Sequence, residues 1–148
     1  MVFPRSTNNE YMGSSVSLVI LGLGVVMTVI PALIHTFLPD GGANVIAGMG
    51  VDLDSEHGQR VVALMAWAGA TQLAWGAVML SVLFRYRSLT PLILGLIAIE
   101  RIIHAWTMWG PKGGDHHPPE AYVTLIVIPL FALGFILSLT TRKTKESG

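Results

Sequence analysis

The chain has 148 residues, of which 52% are hydrophobic and 12% are charged, with nine basic and nine acidic side chains. Soluble domains carry charge on about a quarter of their residues, so the composition and a mean hydropathy of +0.62 exclude an ordinary soluble domain. Without cysteine the chain has no disulfide, thiolate metal site or thiol redox chemistry.

Four apolar segments follow one another along the chain, and each reaches the roughly 17–25 residues needed to cross a hydrocarbon core. They predict a single transmembrane domain over residues 1–148. Pro31 lies inside the first segment, and Ser55 or Asp54 is the expected N-cap of the second. Helices that are joined by short connections pack as antiparallel neighbours. The predicted fold is therefore an all-α, antiparallel four-helix transmembrane bundle with spans at 16–38, 61–84, 89–109 and 121–139.

The connections differ in length and charge. About twenty residues rich in glycine follow Pro39, whereas residues 85–88 and 110–119 form short turns. Four spans place both termini and the turn at 85–88 on one side of the membrane. Basic residues next to spans favour the cytoplasm, so we predict cytoplasmic termini from the six of nine basic residues on that side: Arg5, Arg85, Arg87, Arg142, Lys143 and Lys145.

The third span carries charges near its middle. Glu100 and Arg101 are adjacent, and His104 follows one turn after Glu100, so Glu100 and His104 share one helix face. A charge at that depth costs about 2.5–3.5 kcal/mol on insertion scales, and such residues usually face the protein interior and are paired. The cluster predicts either a site that binds a polar head group, moves a proton or holds a metal, or a structural ion pair that fixes helix packing.

Gln72 is the expected partner of this cluster from the second span, where it lies at a similar depth. Trp67 and Trp75 flank it, and their indole N–H groups need partners where they are buried. We predict that Arg101, Gln72, Trp67 and Trp75 bind a ligand. The alternative for Gln72 is a hydrogen bond that joins two helices.

The five histidines lie at or toward the side opposite the termini, but no pair has the spacing of a closed metal site. A haem would need axial ligands at matched depths, and His35 lies nearer the end of its span than His104. We therefore predict no metal and no cofactor. No phosphate loop, zinc-protease motif or nucleic-acid signature is present, so nucleic acid is not an expected partner.

Three features of the sequence occur together. They are a Gly- and Gln-rich second helix (Gly58-Gln59-Arg60 through Gly69-Ala70-Thr71-Gln72), a third helix with Arg101, and a Gly110-Pro111 turn after it. Over residues 15–140 the chain resembles the DoxX-like group of small bacterial four-helix membrane proteins, which includes families of unknown function. The resemblance implies a bacterial inner-membrane protein and transfers little biochemistry. The Glu100–His104 spacing departs from the group's general pattern.

Two functional hypotheses follow. In the first, the bundle binds a small apolar or lipid-like ligand, or acts as a subunit of a membrane complex with a partner subunit or a second copy. In the second, it is a membrane-embedded enzyme in which Glu100 and His104 act as general acid and base on a hydrophobic substrate. The enzyme requires both side chains to line one cavity with access from lipid or from the side opposite the termini.

Overall fold

The computed structural model describes residues 2–115 and 117–140, and within these ranges it is helical with no strand. A single turn of 3-10 helix, Arg87–Leu89, precedes the third helix. All four α-helices are long and apolar enough to cross a membrane, as expected of a multi-pass membrane protein. The predicted all-α four-helix fold is confirmed, with α1 at Ser15–Phe37, α2 at Glu56–Phe84, α3 at Thr90–Trp109 and α4 at Pro119–Leu139.

Serine side chains begin the first two helices. The Ser14 hydroxyl accepts the amide N–H of Val16, and the Ser55 hydroxyl accepts that of Gly58 at 3.0 Å. Each bond satisfies a donor that a helix start leaves without a carbonyl. Because of the Ser55 cap, α2 begins at Glu56, ahead of the apolar stretch that starts at residue 61, and its first turn carries an exposed ion pair between Glu56 and Arg60.

The helices pack as two tight pairs, α1 with α2 and α3 with α4, and α1 joins the pairs through α4. Although the shortest connection joins α2 to α3, these two helices make few contacts with each other. We call the half of the bundle where α1 begins and α4 ends the terminal half, and the half with the α1–α2 and α3–α4 connections the loop half.

The apolar core lies toward the terminal half. On α3 every buried residue falls between Thr90 and Ala98, and none is buried from residue 99 to residue 109. The loop half therefore lacks a closed apolar core along α3. The core cluster consists of Ile20, Leu21, Val25, Met79, Val82, Ile93, Leu94, Ile97, Ala98, Val127 and Phe131.

Glycines bring α1 and α2 together. A Cβ atom on Gly69 would lie 2.6 Å from Thr36 Oγ1 and 2.9 Å from the carbonyl oxygen of Ala32, and one on Gly76 would lie 2.7 Å from Val29 Cγ2. Small residues allow this close approach between membrane helices. The α1–α2 pair thus depends on positions where no side chain fits.

We expect Gly69→Val to lower the free energy of unfolding by about 1–3 kcal/mol, because the new side chain would push α2 away from the α1 backbone. The matched control is Ala70→Val, at the next and exposed position. Thermal unfolding in mild detergent measures both. Equal stability of the two variants would contradict the close α1–α2 contact.

The connection between α1 and α2 is compact, and Asp40 organises it. Asp40 is a buried residue, and its carboxylate accepts backbone N–H groups of Gly42, Asn44 and Val45 at 2.9–3.0 Å. Gly41 has φ +60°, and a Cβ there would lie 2.8 Å from Met65 Cβ, so the loop folds against α2. The glycine-rich composition did not indicate how this connection folds, and the bonds to one carboxylate hold it in tight turns.

The amides of Val45 and Gly42 hold the pKa of Asp40 below its ordinary value of 3.8. Because folding lowers this pKa, the carboxylate stabilises the loop fully above pH 3.8 and loses its effect as the pH falls through the lowered value. We expect protection of the Gly42 and Val45 amides from hydrogen exchange to be constant above pH 3.8 and to fall below it.

The substitution Asp40→Asn should reduce this protection above pH 3.8, where the wild-type group is ionised, since a neutral amide accepts more weakly than a carboxylate. The control is Asp54→Asn, at an exposed position beyond the folded turns. Unchanged protection in Asp40→Asn would show that the carboxylate does not hold the loop.

Candidate ligand-binding site

One cavity in the loop half is lined by all four helices and by the α1–α2 connection. Its volume is about 380 Å³, within the range of roughly 300–1,000 Å³ that small-molecule sites occupy. Much of the wall is aliphatic, from Val26, Ile30, Ile34, Ile46 and Val123. Two other hollows, of about 270 and 550 Å³, lie near the termini, and each has one charged residue in its lining.

The polar part of the cavity lining combines residues that are far apart in sequence. Gln72 comes from α2, Glu100, Arg101 and His104 from α3, and Glu120 from α4. Four of the six candidate residues from the sequence therefore line one cavity. Their role in binding stays a prediction.

Glu100 and Arg101 form an ion pair, with Arg101 Nε 2.8 Å from Glu100 Oε2. The Arg101 side chain is 22% exposed and that of Glu100 is 47% exposed. Glu100 and His104 also line a shallow groove on the outer surface of α3, together with Leu96, Ile99 and Ile103. These two side chains thus stand between the cavity and an apolar outer surface.

The His104 imidazole lies close to the carboxylate of Glu120. Glu120 Oε1 lies 3.4 Å from His104 Nε2, and the geometry does not make a hydrogen bond, so this buried nitrogen has no hydrogen-bond partner among the described residues. Glu120 was not among the candidates from the sequence. It lies in the first turn of α4, and no local pattern connects it to His104.

Gln72 presents a second buried polar atom without a partner, since its Oε1 accepts no hydrogen bond from any described residue. Trp67 and Trp75 are not part of the cavity lining. Trp67 is 70% exposed on the outer surface of α2, and Trp75 packs against the apolar core. The structure therefore brings Gln72 to the cluster without its two tryptophan neighbours.

Pro31 adds a backbone feature that the candidate residues did not include. Its ring nitrogen has no hydrogen, so the carbonyl of Met27 lacks the amide donor that a regular helix would supply. Pro31, Met27 and Thr28 all line the cavity. The proline in the sequence was the only signal for this contribution.

Among the other histidines, His35 also lines the cavity. His35 Nδ1 donates to the carbonyl of Gly41 at 2.7 Å, and the ring of His117 stacks on Trp109 with centroids 4.2 Å apart. His116 lies outside the described residues. Within residues 2–115 and 117–140 no group of three or more histidine or acidic side chains could hold a metal ion.

The chain matches no protein-family model, no curated protein and no solved structure. The resemblance to the DoxX-like group remains a prediction.

We expect Arg101→Leu to destabilise the bundle more than the double change Glu100→Leu/Arg101→Leu, because the single change leaves a carboxylate without its cation. The difference should be about 2 kcal/mol, between the values for exposed and buried pairs, since Glu100 is half exposed. Thermal unfolding of the two variants and the wild type in detergent measures it. If Arg101→Leu is as stable as the wild type, the two charges are not coupled.

Proposed function

We propose that this protein is a membrane protein that binds, in the cavity of its loop half, a small molecule with an apolar body and a polar head. One observation carries the proposal. Polar side chains from all four helices converge on a largely aliphatic cavity that contains two buried polar atoms, Gln72 Oε1 and His104 Nε2, with no hydrogen-bond partner among the described residues. Such atoms are costly to bury unless something bonds to them.

The groove beside the cavity supports access from the membrane. Glu100 and His104 line both spaces, and the groove is otherwise aliphatic. A hydrophobic molecule dissolved in the bilayer would reach the cavity along α3 without crossing water. Its polar head would then meet the charged residues as its body leaves the lipid.

The test is native mass spectrometry of the protein released from its own membranes in gentle detergent. We expect a retained small molecule on the wild type and at least a tenfold lower occupancy on Glu100→Leu/Arg101→Leu, which should still fold. The matched control is Glu56→Leu/Arg60→Leu, which removes the exposed ion pair at the start of α2. Loss of the ligand in both variants, or no bound molecule on the wild type, would contradict the proposal.

A second candidate function is catalysis, and one specific observation favours it. Glu100 and His104 line the same cavity, and both reach the outer groove. In this alternative one side chain takes a proton from a hydrophobic substrate and the other returns one. Turnover separates the two functions: a retained molecule that is converted over time by the wild type and not by Glu100→Gln would identify an enzyme.

We also propose that the protein lies in the bacterial inner membrane with both termini in the cytoplasm. The excess of basic residues beside the terminal half supports this orientation. The exposed apolar side chains of the four helices would contact membrane lipid, a partner membrane subunit or a second copy of the chain. A reporter enzyme fused after Gly148 should score as cytoplasmic, and a periplasmic score would reverse the orientation.

A further inference from the structure

We propose that the polar head of the ligand is a protonated amine. This inference rests on the proposed function, since it names the chemical class that the same cavity would select. It depends on two properties of the lining: its balance of charge and its supply of hydrogen-bond acceptors.

The charge balance is negative. The described lining residues include two carboxylates, Glu100 and Glu120, and one guanidinium, Arg101. Arg101 Nε is already paired with Glu100. With neutral imidazoles at His35 and His104, the lining therefore carries one negative charge in excess, and charges interact strongly where water is scarce. A cationic head would compensate this charge, whereas a carboxylate or phosphate head would add to it.

The hydrogen-bonding groups point in the same direction. Gln72 Oε1 is a carbonyl oxygen and accepts only, and it is buried without a donor among the described residues. A neutral His104 with its hydrogen on Nδ1 would present Nε2 as a second buried acceptor. A primary ammonium has three N–H donors, enough for Gln72, His104 and a carboxylate together. An alcohol has one, and a carboxylate has none.

The apolar wall sets the rest of the ligand. Side chains of α1, together with Ile46 from the α1–α2 connection, form an aliphatic surface around the polar cluster. An aliphatic chain attached to the amine would pack there. Octylamine is therefore a suitable probe, and octan-1-ol and octanoate have the same chain with a neutral or an anionic head.

The experiment measures binding of these three probes to the full chain in nanodiscs of phosphatidylcholine, by equilibrium dialysis against empty nanodiscs. Subtracting the empty discs removes partitioning into lipid. We expect octylamine to bind at least tenfold more tightly than octan-1-ol, and octanoate to bind most weakly.

Variants of Gln72 test the acceptor itself. Gln72→Met keeps the length of the side chain and removes its carbonyl, and it should weaken octylamine binding about tenfold, as expected for one hydrogen bond to a charged group. The control is Gln59→Met, which changes the chain's other glutamine, exposed near the start of α2. It should leave the binding of all three probes unchanged.

Octan-1-ol or octanoate binding as tightly as octylamine would overturn the amine assignment and leave the proposed function standing. Failure of octylamine to bind would also overturn it, while the native mass spectrometry decides separately whether the cavity holds another molecule. Unchanged octylamine binding in Gln72→Met would overturn the role of the carbonyl. If that variant does not fold, the order of the three probes on the wild type decides.

Discussion

The free-energy cost of holding charged side chains inside an apolar bundle determines how the loop half of this protein packs. Glu100 and Arg101 neutralise each other across 2.8 Å, but the pair remains polar and cannot pack as aliphatic side chains do. Beyond Ala98 no residue of α3 is buried. The helix that carries the charges therefore stops contributing to the apolar core where the charges begin, and the space left beside them is the cavity.

Closely packed parts of the bundle border the cavity. Close contact at Gly69 and Gly76 fixes α2 against α1, and Phe131 of α4 and Leu94 of α3 are almost fully buried in the core cluster. Since α2 and α3 touch least of the neighbouring helices, space remains between Gln72 and the charged residues of α3. Closely packed helices beside an open loop half suit a binding site. The packing holds the lining side chains of different helices in place and leaves the space between them free.

The connection from α1 to α2 completes the site from outside the helices. Three backbone amides bonded to Asp40, and the bond from His35 to Gly41, fix its turns. As a result Ile46, which belongs to no helix, reaches the cavity wall. A segment whose composition is typical of a flexible linker is thus an ordered part of the candidate site.

The sequence by itself determined the features that depend on neighbouring residues or on length. The four spans follow from run length, the cap at Ser55 from local hydrogen bonding, and the Glu100–Arg101 pair from adjacency. The helix repeat also determines the direction in which Trp67 points. At about 100° per residue, Trp67 lies roughly 140° around α2 from Gln72 and so faces away from it. Trp75 is only about 60° away, yet it packs against the core because it lies farther toward the terminal half.

Only the tertiary structure decided which distant residues meet. The approach of Glu120 to His104, the place of Ile46 in the wall and the buried oxygen of Gln72 depend on how each helix is rotated and tilted against its neighbours. Those angles result from the packing of the whole bundle, including the glycine contacts of α2 with α1. No local pattern encodes them, because side chains on different helices come together through contacts that all four helices share.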